Sequence, residues 1–195
     1  MDKLGLSPAK KIILYIDQRL IQNRIFSKSE AYQYTRSIFC SILKILDTQL
    51  VVKLRAGSGK DVSLELANKV IQDIEGAGRV VITDKYLYEL LAIADLVIIF
   101  SSTVGMEAIL MDKSVMSVNF TNVEHYPYIE SGAALGCRSP EQILPTIKQA
   151  LFNQHTKRLL AKKRKEFIHE HLYKQDGQAS KRIANLVIDM SRNRL

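Results

Sequence analysis

The stretch Asp95-Leu-Val-Ile-Ile-Phe-Ser101-Ser-Thr-Val-Gly-Met-Glu107-Ala-Ile-Leu110 decides the fold. Its apolar run, residues 96–100, has no polar alternation, which is typical of a strand that is covered on both faces. A short polar turn follows, and the residues after it have helical spacing. The stretch therefore predicts a buried strand, a tight turn and a helix.

The turn after this strand is suited to binding phosphate. Ser101, Ser102 and Thr103 supply three hydroxyls and backbone N–H groups where the next helix starts. A helix start has unpaired N–H donors and a partial positive charge. Glu107 lies four residues after Thr103, too far for a capping box, so we expect it to face the same cleft as the hydroxyls. The alternative is an ordinary capped helix with Glu107 in solvent.

Length and composition fit one domain, or at most two small ones. The chain has 195 residues, of which 47% are hydrophobic and 25% charged, as in ordinary globular proteins. The net charge of +8 favours an anionic partner, such as a nucleotide, an anionic lipid surface or nucleic acid. The absence of tryptophan argues against a protein that stacks single-stranded bases.

The apolar runs and the cysteines predict a cytoplasmic protein. Peripheral contact with a membrane is compatible with this prediction. The first apolar run, 12–16, is too short for a signal peptide, and the run 90–100 is interrupted by Asp95 and too short to span a bilayer. Cys40 and Cys137 lie far apart in apolar surroundings. We expect buried free thiols of a reducing compartment.

Strand and helix patterns alternate along the chain. Strands are predicted over 11–16, 49–54, 79–83, 96–100, 114–120 and 133–137. Helices are predicted from the capping box at 27–30 to about 46, with Leu46 on the inward apolar stripe, and over 62–74, 86–94, 106–111, 139–153, 154–175 and 179–190. This order predicts an α/β fold: a Rossmann-like parallel sheet of about six strands with helices on both faces and a helical, basic C-terminal tail. We divide the chain into a Rossmann-like domain, 1–153, and a helical extension of the same domain, 154–195.

Ligands of such a sheet bind at the carboxyl ends of its strands. The polar exit Asp17-Gln18-Arg19 and the residues Lys53, Arg55, Thr83 and Asp84 lie at these predicted ends. The segment 56–61 is similar to a P-loop, but Asp61 follows its lysine where Ser or Thr is required. We interpret that segment as a flexible loop.

Five short segments resemble the carboxy-terminal half of glycosyltransferases of the GT-B architecture. The resemblance is greatest to bacterial surface-polysaccharide enzymes, such as capsule and polyglycerol-phosphate-type transferases, and to the related UDP-N-acetylglucosamine 2-epimerases. It covers nearly the whole chain in element order, and it implies the fold of one half of a GT-B enzyme. The segments are Val51–Leu54, Leu90–Asp95, Ser101–Ala108, Asp112–Met116 and Asp176–Ile183.

The resemblance implies a nucleotide-sugar donor site, with a UDP-, CDP- or CMP-linked substrate and no metal or other cofactor. The residues it implies for the phosphates and ribose are Ser101, Ser102, Thr103, Gly105 and Glu107, with Lys53, Arg55 and Arg19 adding positive charge. The residues it implies near the base or sugar are Thr83, Asp84, Tyr86 and His125. The chemistry agrees, because hydroxyl and N–H groups donate to phosphate oxygens and a carboxylate accepts from a diol.

The chain departs from this family in two ways. Arg55-Ala56 stands where the family pattern has His-Pro, and arginine keeps only the electrostatic part of a histidine's role. The amino-terminal acceptor domain of a GT-B enzyme also has no counterpart. The resemblance therefore implies half of an enzyme, which needs an acceptor domain or a partner chain.

Six cations between 157 and 165, without an acid among them, form a basic run. A solvated helix face is one interpretation, and contact with an anionic membrane that carries lipid-linked acceptors is the other. No nucleic-acid motif accompanies the run, so we expect no nucleic-acid partner. His169 and His171 are two residues apart and fall on different faces of a helix, so we expect no metal site.

Three functions remain open. The first is the nucleotide-sugar donor-binding half of a glycosyltransferase, or of a sugar-phosphate transferase, in surface-polysaccharide biosynthesis. The second is the carboxy-terminal half of a UDP-N-acetylglucosamine 2-epimerase-like isomerase. The third is a nucleotide-binding subunit that has no chemistry of its own.

Overall fold

The computed structural model describes residues 4–57, 62–121 and 126–192. These residues form the strands β1 (Lys11–Ile16), β2 (Thr48–Lys53), β3 (Val80–Thr83), β4 (Leu96–Ile99), β5 (Val115–Val118) and β6 (Leu135–Cys137). They also form the helices α1 (Lys28–Leu43), α2 (Val62–Gln72), α3 (Leu87–Ile93), α4 (Val104–Leu110), α5 (Pro140–Phe152), α6 (Gln154–Leu172) and α7 (Ala179–Arg192).

All six strands pair in parallel in one sheet, in the order β3-β2-β1-β4-β5-β6. Tyr15 of β1 lies opposite Val52 of β2 on one side and Ile98 of β4 on the other. The chain builds outward from β1 in one direction and then outward from β4 in the other, so the connections reverse between these two central strands. The predicted α/β fold with about six parallel strands is confirmed.

Helices cover both faces of the sheet and bury two hydrophobic clusters. One cluster packs α1, α2 and α5 against alternate strand residues such as Leu50 and Ile98. The other packs α3, α4 and α6 against the intervening residues, such as Val51 and Val97. Because both faces are covered, residues 12–16 of β1 and 96–99 of β4 are buried in succession and carry no charged side chain. Each large side chain buried in this way contributes about 1.5–3 kcal/mol to stability.

Helix α1 begins with the predicted capping box. Ser27 Oγ accepts the backbone N–H of Glu30 at 3.3 Å, and Glu30 Oε2 accepts the backbone N–H of Ser27 at 2.8 Å. Hydrogen bonds from the side chain and the backbone N–H of Ser27 lower the pKa of the Glu30 carboxyl. The prediction that Leu46 lies on the inward stripe of this helix is wrong. The helix ends at Leu43, and Leu46 is 78% exposed in the connection to β2.

Helix α6 packs onto the body of the domain, and its basic run is not uniformly solvated. Arg164 is 5% exposed, and its Nε and Nη2 donate to Asp112 Oδ1 at 3.0 and 2.6 Å. Helical spacing places Arg164 on the same side as Phe167, which is buried among α4 residues and strand residues. Arg158, Lys162 and Lys165 remain exposed.

Helix α7 buries none of its side chains. Its large apolar residues are between 45% and 63% exposed: Ile183, Leu186, Val187, Ile188 and Met190. None of the described helices has the length and apolar character needed to cross a membrane. The two cysteines are free thiols; Cys137 is buried, which raises its pKa to about 11, and Cys40 is half-buried.

Candidate functional site

A cleft of about 610 Å³ lies at the carboxyl edge of the sheet. Residues that follow β1, β2, β3 and β4 line it, so its centre is the point where the connections reverse between β1 and β4. In open parallel sheets, ligands bind at such a point. The structure brings these predicted site residues together in the cleft: Arg19, Lys53, Arg55, Asp84, Tyr86, Ser101, Ser102 and Thr103.

The turn between β4 and α4 presents hydrogen-bond donors to this cleft. Ser102 Oγ accepts the N–H of Val104 at 3.2 Å, and Ser102 O accepts the N–H of Gly105 at 3.0 Å. No acceptor among the described residues meets the backbone N–H of Ser102 or of Thr103. Because α4 has only seven residues, we expect these N–H donors of the turn to contribute more to anion binding than the dipole of the helix does. The turn is thus suited to bind anionic oxygens.

The carboxamide of Gln18 ties this turn to the end of β1. Its Oε1 accepts the backbone N–H of Ser101 at 2.8 Å. The sequence indicated that Asp17-Gln18-Arg19 is a polar exit, but it gave no role to Gln18. The reason is that the contact joins residues 83 positions apart, and only the strand order brings them together.

Lys53 lines the cleft but is also committed to the backbone. Its side chain is 7% exposed, and Nζ donates to Leu54 O at 2.6 Å and to Asp84 O at 3.1 Å. Burial lowers the pKa of Lys53, and the charge of Asp84 partly opposes that shift. Lys53 therefore clamps the ends of β2 and β3 together, and one of its three N–H donors is left for the cleft.

Two residues that line the cleft have left-handed backbone conformations. Arg19 has a φ of 52° and Tyr86 a φ of 61°. This conformation costs roughly 1–2 kcal/mol for a residue with a Cβ. The Arg19 N–H donates to Asp17 Oδ2 at 3.2 Å, which helps to hold that loop. Strain of this kind is concentrated at binding sites more often than elsewhere.

Three predicted site residues that the structure describes are not among those that line the cleft. A Cβ on Gly105 would lie 2.7 Å from Ile99 Cδ1 and 2.9 Å from Tyr128 Cε2, so Gly105 allows α4 to pack closely. Glu107 Oε2 is buried and has no hydrogen-bond partner among the described residues. Thr83 Oγ1 accepts the N–H of Lys85, and His125 lies outside the described residues. The binding roles of these four stay predictions.

The sequence assigned no role to Tyr126, which lines the cleft, or to Tyr128, which is buried beside it. Tyr126 lines the cleft and stacks on Tyr128, with ring centroids 5.4 Å apart and an interplanar angle of 26°. The hydroxyl of Tyr128 donates to Ser102 O at 3.0 Å, and burial raises the pKa of Tyr128 to about 12. The loop that holds them has no periodic pattern, so the closeness of the two aromatic residues was the one available signal.

Potential metal ligands are scattered. Across residues 4–57, 62–121 and 126–192, no three His, Cys, Asp or Glu side chains are grouped so that they could hold a metal ion.

No family model and no curated protein sequence matches the chain. Several solved structures are similar to the chain in fold. A protein of Listeria monocytogenes assigned as a UDP-N-acetylglucosamine 2-epimerase matches with a TM-score of 0.66 and 18% identity, over 98% of this chain and 47% of that chain. WaaG, a glycosyltransferase involved in lipopolysaccharide biosynthesis, matches with a TM-score of 0.61 and 17% identity, over 95% of this chain and 49% of that chain.

The UDP-GlcNAc 2-epimerase of Neisseria meningitidis, solved with UDP-GlcNAc bound, is also similar. Its TM-score is 0.58 at 16% identity, over 87% of this chain and 47% of that chain. At such identities, similarity shows the fold alone. The chain spans about half the length of each of these proteins. The chain therefore has the fold of one half of the GT-B architecture that glycosyltransferases and UDP-GlcNAc 2-epimerases share.

Proposed function

We propose that this chain is the nucleotide-sugar donor-binding, carboxy-terminal half of a glycosyltransferase, or of a sugar-phosphate transferase, in surface-polysaccharide biosynthesis. The observation that carries the proposal is the cleft at the reversal point of the sheet. Its volume of about 610 Å³ is typical of small-molecule sites. Arg19 and Arg55 line the cleft together with the Ser101–Thr103 turn, so it combines positive charge with free donors.

In this proposal the diphosphate of the donor binds at the turn. The N–H groups of Ser102 and Thr103 and the nearby hydroxyls donate to its oxygens. Negative charge builds on the departing nucleotide in the transition state, and the guanidinium groups of Arg19 and Arg55 stabilise that charge. These residues bind and neutralise the leaving group. The group that activates the acceptor would come from the other half.

A specific observation also favours a second candidate, half of a UDP-GlcNAc 2-epimerase-like isomerase. Similar structures include epimerases by their descriptions, and one of these holds UDP-GlcNAc. An epimerase needs the same diphosphate site, because the nucleotide is likewise the group that carries negative charge. The cleft residues therefore support both candidates equally, and only a measurement of the reaction catalysed can distinguish a transferase from an epimerase.

Activity in either case requires an acceptor-binding half, as a domain of the same protein or as a partner chain. The half-length coverage of the similar structures supports this requirement. So does α7, whose apolar side chains Ile183, Leu186 and Val187 are 60% to 63% exposed. A 14-residue helix is marginal in water without packing. We place the partner half over this apolar face.

Peripheral contact with the cytoplasmic membrane surface is a further part of the proposal. Arg158, Lys162 and Lys165 are exposed on α6, and each cation near an anionic leaflet contributes about 1 kcal/mol. Lys162 and Lys163 also pair with Glu166, at 3.9 and 2.7 Å, which reduces the charge that they offer. Binding of this chain to vesicles with and without phosphatidylserine, at low and high salt, tests the contact.

Nucleotide binding by the purified chain tests the main proposal. UDP at 100 times its dissociation constant should raise the free energy of unfolding by about 2.7 kcal/mol, measured as a shift in thermal midpoint. CDP and CMP, tested alongside, identify the base and the number of phosphates. If no nucleotide shifts the midpoint, the chain does not have a nucleotide-sugar site. With the other half present, interconversion of a nucleotide sugar without an acceptor would identify the epimerase.

A further inference from the structure

We propose that Gln18 is a phosphate-binding residue of the cleft. Its carboxamide oxygen positions the Ser101–Thr103 turn, and its carboxamide nitrogen donates to an anionic oxygen of a bound nucleoside diphosphate. The inference rests on the proposed function and adds to it a residue to which the family resemblance assigned no role.

The geometry starts from the two central strands. Gln18 follows β1 and Ser101 follows β4, and these strands are adjacent and parallel, so their carboxyl ends meet. Gln18 Oε1 accepts the Ser101 N–H at 2.8 Å across the reversal point. One side chain thus joins the two loops between which a ligand of this fold would lie.

This hydrogen bond also fixes which way the carboxamide faces. The Ser101 N–H is a donor, so it can pair only with the oxygen of the carboxamide, and the NH₂ group must take the other position. The Asn23 Nδ2 group donates to the backbone oxygen of Gln18 at 3.0 Å and holds the residue in place. The orientation of the side chain is therefore set before any ligand binds.

The nitrogen of the carboxamide is left without a partner. Gln18 Nε2 is buried, and the described part of the chain offers it no acceptor. A buried donor without an acceptor costs about 1–3 kcal/mol. Gln18, Ser102 and Thr103 all line the same cleft, and the backbone N–H groups of the latter two also have no acceptor among the described residues. A ligand oxygen that accepts from Nε2 removes this cost.

The charge of the cleft indicates that this oxygen is anionic. Four cationic side chains and two carboxylates line the cleft, and this net positive charge favours a negatively charged group there. Phosphate oxygens only accept hydrogen bonds, which suits three unpaired donors better than a hydroxyl, which would also need an acceptor. The geometry therefore matches the diphosphate of a nucleotide better than its sugar or base.

Two substitutions and one control separate this role from others. Gln18→Glu keeps the shape of the side chain and the oxygen that holds Ser101, but replaces the donor by a second acceptor. Gln18→Met removes both functions without adding charge. Ala56→Asp adds a negative charge elsewhere in the cleft lining and leaves Gln18 intact. Calorimetric titration with UDP and with uridine measures each variant.

We expect Gln18→Glu to weaken UDP binding at least tenfold and Gln18→Met about fivefold, with uridine binding unchanged in both. Ala56→Asp should weaken UDP binding about threefold at most. The inference is overturned if Gln18→Met binds UDP as the wild type does. It is also overturned if Ala56→Asp matches Gln18→Glu, because the loss would then be a charge effect alone.

A measurement on the wild-type chain remains valid even if a variant fails to fold. The side-chain NH₂ signals of Gln18 in a ¹⁵N-labelled sample should move on addition of UDP and stay in place with uridine. Signals that stay in place with UDP, while the backbone signals of the turn move, would overturn the inference and leave the proposed function intact. If the wild type binds no nucleotide, the proposed function itself fails.

Discussion

The two edges of the sheet carry similar polar residues but use them differently. At the amino edge they pair within the chain. Asp95 Oδ1 accepts Lys11 Nζ at 2.7 Å, and its Oδ2 accepts the Ile12 N–H at 2.8 Å. Arg79 donates to the backbone oxygens of Leu43 and Ile45, where α1 ends.

At the carboxyl edge, several groups of the same kind are left open. Gln18 Nε2 and the N–H groups of Ser102 and Thr103 have no acceptor within the described segments, and exposed Arg55 forms no hydrogen bond or ion pair with any described residue. Composition does not distinguish the two edges. The difference is that Asp95, Lys11 and Arg79 at the amino edge pair within the chain and stabilise the fold, whereas these carboxyl-edge groups are unpaired among the described residues and, under the proposed function, bind a ligand.

The largest effect that this comparison predicts is at the amino edge. Asp95→Ala removes both acceptors and leaves the Ile12 N–H and Lys11 without a partner, so the free energy of unfolding should fall by about 3 kcal/mol. Urea denaturation measures the loss. Lys11→Met, which keeps the bond to Ile12, should cost about 1 kcal/mol or less, because the Lys11 side chain is 41% exposed.

UDP affinity is the second readout for these variants. It should stay within twofold of the wild type in both, since Asp95 and Lys11 do not line the cleft. A tenfold loss in Asp95→Ala, measured where the variant remains folded, would show that the two edges are not independent.

The sequence predicted the features that depend on local patterns. Element order, the capping box at Ser27 and the polar strand ends all follow from periodicity and residue type within a few positions. The prediction of Leu46 failed because helical spacing continues to that residue although the helix itself ends at Leu43. Propensity locates a helix well but locates its last turn poorly.

Features that depend on strand order could not be predicted. The Gln18–Ser101 and Asp95–Lys11 contacts join residues 83 and 84 positions apart, and they form only because β1 and β4 are neighbours. Gly105 fitted a phosphate loop by sequence, but its lack of a Cβ is required by Ile99 and Tyr128. By sequence Arg164 is one of six cations in a basic run, and its pairing with Asp112, 52 positions away, depends on the fold.

Lys53 differs from the other polar groups discussed at the carboxyl edge, because its Nζ donates to backbone oxygens of the chain itself. Lys53→Met removes the hydrogen bonds to Leu54 O and Asp84 O, and stability at pH 7 should fall by about 2 kcal/mol. UDP affinity should fall less than threefold if the clamp is its main role. A large loss of UDP affinity at unchanged stability would show that Lys53 binds the ligand and does not mainly hold β2 and β3 together.

The pH dependence of that stability loss has a definite sign. Burial lowers the pKa of Lys53 in the folded chain below its usual 10.5, so as the pH rises the folded state releases this proton before the unfolded state does. The unfolded state then binds more protons, and the wild type gains stability through this window. The deficit of Lys53→Met should therefore widen between neutral pH and pH 10.5. A deficit that narrows would contradict the desolvation of Lys53.

Arg55 should show the smallest effect on stability and a clear effect on binding. Because Arg55 is exposed and unpaired within the described residues, Arg55→Met should change the free energy of unfolding by about 0.5 kcal/mol or less. UDP affinity should fall about fivefold, which corresponds to about 1 kcal/mol, and the loss should shrink at high salt because the interaction is with solvent-accessible charge. Uridine binding should not change.

Lys44→Met is the matched control for Arg55. Lys44 is an exposed cation that follows α1, near the amino edge of the sheet, so its removal lowers the net charge by the same amount away from the cleft. If both variants lose UDP affinity equally, the chain attracts nucleotides through its overall charge. A loss confined to Arg55→Met means that Arg55 contributes a specific positive charge to phosphate binding at the carboxyl edge.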